Sequence, residues 1–245
     1  MKSCRVRFSA CAAAAALALS GCGASAGVEA SSAQSAEASA ADASESTEKE
    51  ESAGVKQNLL GGWKINSGKL SLDENEAAKE AFEKAAAGIE GRDYEPIALL
   101  GTQVVAGTNY SVLARVTDEA GNVEYSVLRI YEDLKGGAEI TSEREATGLP
   151  AAEEGMTGAW EMNAGDFTLE GNEDVAAALE DAVSGGELRC EPVALAASQL
   201  VAGMNYLVFC RVTDSASGSC GFAFAEVYVD LQGNAEHTGD TQVAP

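Results

Sequence analysis

The chain has 245 residues, with 39 acidic against 16 basic and a formal net charge of −23. A balance so far to the acidic side leaves no basic patch to offset repulsion from phosphates. Nucleic acid and anionic membrane surfaces are therefore excluded as charge-driven partners.

In chain order, Lys2, Arg5 and Arg7 precede an apolar run from Cys11 to Leu19, which is too short to cross a bilayer as a stable helix. Leu19-Ser20-Gly21-Cys22 follows and resembles a bacterial lipobox, in which the cysteine thiol is acylated and becomes the first mature residue. Residues 1–22 thus read as a lipoprotein signal peptide with Cys22 as the lipidation site. Stable insertion of the acyl chains in a lipid bilayer follows, at about 0.8 kcal/mol per buried CH₂. The expected location is the cell membrane, lipid-anchored, facing the extracellular or periplasmic side. Residues 23–58 are dominated by Ala, Ser and Glu, and no aromatic residue stands between Phe8 and Trp63. Such a segment cannot bury enough apolar surface to offset its chain entropy, so it reads as a disordered tether.

The rest of the chain repeats itself. Gly61-Gly62-Trp63-Lys64-Ile65-Asn66-Ser67-Gly68 matches Gly158-Ala159-Trp160-Glu161-Met162-Asn163-Ala164-Gly165. Glu95-Pro96 returns as Glu191-Pro192, Arg115-Val116-Thr117-Asp118 as Arg211-Val212-Thr213-Asp214, and Asp133-Leu134 as Asp230-Leu231. A unit of about 80 residues is large enough to fold alone, so the spacing predicts two beads on a string. The first covers 59–145 and the second 157–240, with 146–156 as linker and 241–245 as tail.

Within each unit the pattern predicts one helix and then strands. Ala78, Ala81, Phe82 and Ala85 share a helical face after the capping candidate Asp73. Val175, Ala178, Leu179 and Ala182 do the same in the second copy. Segments 94–100, 110–116 and 123–131 are β-branched and alternate or run apolar, as strands do. The Trp segment supplies a first strand, giving the order β-α-β-β-β.

The first hairpin after the helix carries Gln103-Val104-Val105-Ala106-Gly107 and, in the second copy, Gln199-Leu200-Val201-Ala202-Gly203. This Gln-x-Val-x-Gly pattern in this order of elements resembles the cystatin family of cysteine-protease inhibitors, and is closest to its stefin branch. The resemblance implies an α+β fold of two tandem cystatin-like domains, each an antiparallel sheet wrapped around one helix. It further implies that three segments of each domain form a wedge that enters the active-site cleft of papain-like proteases. Those segments would be Gly61 and Gly62, the hairpin 103–107, and Leu134-Lys135-Gly136. In the second copy they would be Gly158, the hairpin 199–203, and Leu231-Gln232-Gly233. The hairpin-tip glycines would permit positive φ and close backbone approach to the cleft. The second hairpin departs from the apolar pair usual in that family. The alternative is a non-inhibitory lipoprotein whose modules bind a protein or a cell-surface polymer.

Cys190, Cys210 and Cys220 all lie in the second copy. Their spacing does not choose a disulfide pairing, and buried free thiols are an equal alternative. The lone His237 has no partner at metal-ligand spacing, and no phosphate loop or zinc pattern occurs. The sequence therefore predicts no enzyme, no cofactor and no metal.

Overall fold

The computed structural model describes residues 61–149, 158–184 and 188–245. The signal peptide, Cys22, the tether and most of the linker lie outside the described residues. The first half contains β1 (Lys64–Ile65), α1 (Glu76–Ala86), β2 (Arg92–Val105), β3 (Gly107–Asp118), β4 (Val123–Glu132) and β5 (Ala138–Glu145). The second half contains β6 (Glu161–Met162), α2 (Glu173–Val183), β7 (Leu188–Val201), β8 (Gly203–Asp214), β9 (Cys220–Val229) and β10 (Ala235–Val243). Each half forms one antiparallel sheet with its strands in sequence order.

The sheets are buried on both faces. On the outer face of the first, Leu99, Tyr110, Val112, Ala114, Leu128 and Ile130 pack against Ala78, Ala81, Phe82 and Ala85 of α1. In the second half, Val208, Cys210, Ala225 and Val227 meet Val175 and Leu179 of α2. The inner faces meet each other. Leu100, Leu113, Tyr125 and Val127 of the first sheet share one core with Leu207, Phe209, Phe222 and Phe224 of the second. The order of layers is helix, sheet, sheet, helix.

This arrangement corrects the expectation of two tandem cystatin-like domains, each complete around its own helix. The second face of each sheet is as apolar as the first, and only the other half covers it. Continuous buried runs such as Ile97–Leu100 and Tyr110–Ala114 carry that information, because strands covered on both faces lose strict alternation. Two register breaks in β2, between Pro96 and Ala98 and between Leu99 and Gly101, sharpen the effect by switching which residues face which layer. Strand β7 breaks at the matching points, between Pro192 and Ala194 and between Leu195 and Ala197.

Other boundaries also shift. Each sheet has a fifth strand, β5 or β10, that the order β-α-β-β-β omits; both are largely polar and give little apolar signal. Asp73 sits in a short 3-10 turn that Ser71 caps, and α1 begins only after Asn75. The expected linker starts with Ala146 and Thr147, both buried. The expected tail includes Val243, which is part of the shared core.

Two arginines at matching positions tie the halves together. Arg115 on β3 pairs with Glu95, donates to Asn163 O at 3.2 Å, and lies over the Phe167 ring at 4.8 Å. Arg211 on β8 pairs with Glu191 and donates to Gly68 O. The recurrence of Arg-Val-Thr-Asp is thus architectural. Each arginine brings charge-assisted hydrogen bonds across the joint, and each aspartate caps a turn.

An isolated half would expose the inner face of its sheet. Residues 158–245 alone would bare Phe209, Phe222 and Phe224, each worth about 1.5–3 kcal/mol when buried. We expect either half expressed alone to bind a hydrophobic dye and to self-associate or stay molten. The full chain should melt in one cooperative transition, and calorimetry with size-exclusion chromatography checks both outcomes.

Candidate functional site

The hairpin that joins β2 to β3 and the one that joins β4 to β5 rise at the same end of the first sheet, because Thr108 pairs with Glu132. Strand β1 pairs Lys64 with Thr102, so the chain also enters at that end. Three segments far apart in sequence therefore meet at one tip. Gln103 connects two of them: its Nε2 donates to Gly61 O at 2.6 Å, while its Oε1 accepts from Asn109 Nδ2 at 2.7 Å. Tyr131 connects the other pair, its hydroxyl donating to Ala106 O at 2.7 Å.

The second half builds the same tip from the same contacts. Gln199 donates to Gly158 O at 2.7 Å and accepts from Asn205 at 2.7 Å, and Tyr228 donates to Ala202 O at 2.6 Å. Glutamine in the hairpin pattern thus acts as a tie between segments.

The second turn of each tip is organised around a carboxylate. Asp133 Oδ1 accepts from the Lys135 and Gly137 N–H groups, and the Gly137 bond is the main reason its pKa is held below the ordinary value. Asp230 does the same work with Gln232 and Asn234, the Asn234 side chain contributing most to its lowered pKa. An ionised carboxylate with several N–H donors fixes a tight turn without a core beneath it.

What the tips present to solvent is apolar. Among the described residues the exposed large hydrophobic side chains are Val104, Val105 and Leu134 at one tip, and Leu200, Val201 and Leu231 at the other. Leu134 is 83% exposed and Leu231 78%, so each second hairpin offers an apolar side chain that its Lys-Gly or Gln-Gly centre does not suggest. Ala106 and Ala202 are exposed beside them. Lys135 and Gln232 flank the leucines in solvent, as do Gly61 and Gly62.

Gly107 and Gly203 play a different part from the one the family resemblance implies. Both are buried, with φ of 135° and 134°. A Cβ at Gly107 would fall well inside van der Waals contact of Glu132 O and 2.9 Å from the Tyr131 ring. At Gly203 it would meet Val229 O and, at 2.9 Å, the Tyr228 ring. The close approach that glycine permits is made to the protein's own neighbouring strand.

The tips lie toward opposite ends of the sandwich. Trp160, two residues beyond Gly158, lines a cleft with Gly121, Asn122, Val123 and Glu124, the end of the first sheet away from its tip. Trp63, at the first tip, lies under Arg129, which donates to Pro245 O just beyond the far end of β10. Both tryptophans are half-buried, and Trp160 packs against the core that the two sheets share. No group of His, Cys, Asp and Glu able to hold a metal occurs among the described residues. Among them, too, no helix is long and apolar enough to cross a membrane.

No family model matches the chain, and no curated protein is similar to it. Among solved structures, an "Ntf2 like protein involved in plasmid conjugation" is similar at 10% identity over 62% of this chain and 78% of that one, with a TM-score of 0.22. A superposition that loose carries neither fold nor function across.

The tip geometry separates two kinds of substitution. Gly107→Ala should cost at least about 2 kcal/mol, because it adds both positive-φ strain and a backbone clash. Val104→Asp, on an exposed side chain, should leave the melting temperature nearly unchanged. Thermal unfolding of the two variants beside the parent chain measures the contrast.

Proposed function

We propose that this protein is an exported, lipid-anchored binding module that docks its two tips into clefts of partner proteins, and that papain-like cysteine proteases, inhibited reversibly, are the partner class. One observation carries the reading: two preformed tips gather the exposed large apolar side chains of the described residues, three at each. A soluble surface rarely concentrates such side chains without a partner to cover them. The tips are braced by Gln103, Tyr131 and their counterparts, so little conformational entropy is lost on docking. The Gln-x-Val-x-Gly pattern in both hairpins directs the choice of partner to papain-like proteases. Reversible blockade needs no chemistry from the wedge, only steric occupation of the cleft.

A second reading, capture of another protein without inhibition, is favoured by the second hairpin. It offers one leucine beside Lys135 or Gln232 rather than an apolar pair, which makes for a shallower insertion.

The test uses the full chain, because neither half covers its own inner face. Papain activity is titrated with the parent chain and with a variant carrying Val105→Asp, Leu134→Asp, Val201→Asp and Leu231→Asp. Competitive, reversible inhibition that weakens about a hundredfold or more in the variant supports the wedge. A folded parent chain without effect at high micromolar concentration overturns inhibition and leaves the second reading.

The anchor is checked separately. Cys22→Ser should abolish incorporation of labelled fatty acid and release the protein from the membrane fraction, since the acyl chains supply the anchoring.

A further inference from the structure

We propose that Cys190 and Cys210 are a cross-strand dithiol that closes to a disulfide, with Cys220 left as a free thiol. The register makes the selection that spacing cannot. Cys190 stands opposite Val212 and Cys210 opposite Pro192, so the two cysteines are diagonal neighbours on β7 and β8. Both belong to the face beneath α2: Cys210 is fully buried there, with Cys190 packed against the same cluster. Cys220 pairs with Thr213 and shares the parity of Phe222 and Phe224, which face the other sheet. A bridge from Cys220 to either of the others would have to pass through the sheet.

The first half shows what the pair replaces. At the matching positions stand Tyr94, opposite Val116, and Ala114, opposite Pro96, a large and a small residue. Tyr94 fills the space over Ala114 and its hydroxyl reaches Glu143. With Cys190 in place of Tyr94, a groove of about 810 Å³ opens between α2 and β7, lined by Cys190, Leu179, Val183 and Pro192 among others. A small disulfide reagent can therefore reach Cys190, whereas Cys210 is sealed beneath it.

The neighbouring Cys210 thiol lowers the pKa of Cys190, while Cys190 and burial together raise that of Cys210. The outer thiol is thus the more readily ionised, which suits it to attack first. Diagonal neighbours start about 7–8 Å apart at Cα, and a disulfide needs no more than about 6.8 Å. The strands therefore draw together by about an ångström on closure, beside the register break that follows Pro192.

In the exchange, the Cys190 thiolate attacks one sulfur of a small organic disulfide and expels one thiolate. Cys210 then loses its proton and attacks the Cys190 sulfur, expelling the second. Two cysteine thiols are oxidised to one S–S bond, and the reagent is reduced to two thiols. The bridge staples the hairpin that ends in Gln199–Gly203.

The experiment incubates the folded full chain with oxidised glutathione, alkylates the remaining thiols, and maps tryptic peptides by mass. Cleavage after Arg189 and Arg211 places Cys190 and Cys210 on one peptide and Cys220 on the next. The expected result is peptide 190–211 lighter by two hydrogens and unalkylated, with Cys220 alkylated. Cys190→Ala should abolish the change and Cys220→Ala should not. A persistent glutathione adduct on Cys190, a link between peptides 190–211 and 212–245, or two alkylated cysteines in 190–211 would each overturn the proposal.

Discussion

The structure depends on the mutual burial of two sheet faces. Each half makes a sheet whose outer face one short helix can cover, and whose inner face it cannot. Leu113, Tyr125 and Val127 on one side and Phe209, Phe222 and Phe224 on the other would be open to water in a separated half. Phe209 stacks on Phe222 at 5.8 Å between centroids and tilts against Phe224 at 5.3 Å, while Tyr125 meets Phe224 edge-on at 6.5 Å. Aromatic contacts of this kind add about 0.5–1.5 kcal/mol each beyond the area they bury. The tyrosine also solves a polar problem, since its hydroxyl, carried into the interior, donates to Asn163 O at 3.0 Å across the joint. Burial pushes the Tyr125 pKa up to about 12, so it remains a neutral donor at any ordinary pH.

Fixing the joint also fixes the tips. Because the strands of each sheet are held in register by two covered faces, the hairpins at their ends need little apolar support of their own. Support comes instead from directional bonds: a glutamine side chain, a tyrosine hydroxyl and a turn carboxylate. That division leaves the valines and leucines of the tips free of structural duty. Gly107 and Gly203 sit where these demands meet, and their backbones are pressed against the next strand so that the two hairpins of a tip lie side by side.

Much of this was legible in the sequence at the level of pieces. The helical spacing of Ala78, Ala81, Phe82 and Ala85 marks the face that α1 buries. Repetition of the Gln-x-Val-x-Gly segment brings the two hairpins to attention, and both stand at sheet ends with exposed valines. The assembly was not legible, because repetition by itself does not say whether two units stand apart or share a core. The signal that decides it is the unbroken apolar run Ile97–Leu100, which a single helix-covered sheet has no reason to keep. Strands β5 and β10 carry no such signal: as polar sheet edges they alternate weakly, and pairing rather than burial holds most of each. The ties made by Gln103 and Tyr131 could not be read either, since a polar side chain gives no sequence sign of the distant carbonyl it will reach.

The two halves agree where geometry is demanding and differ where it is not. Tip ties, turn carboxylates and joint arginines recur position by position, because each must satisfy a particular backbone group. The outer faces have diverged. In the first half Arg92 pairs with Glu124 and Glu143 beside Tyr94, and the groove under α1 measures only about 260 Å³. In the second, Cys190 takes the place of Tyr94, and the groove under α2 widens to about 810 Å³. A face covered by one short helix can lose a large side chain at modest cost, because water fills the opening. A hairpin glycine or a cross-joint arginine has no such latitude, for water cannot relieve a backbone clash or bridge a buried joint in the same geometry. The pattern of agreement between the halves therefore marks the places where the backbone itself is the binding constraint, and these are the joint and the tips.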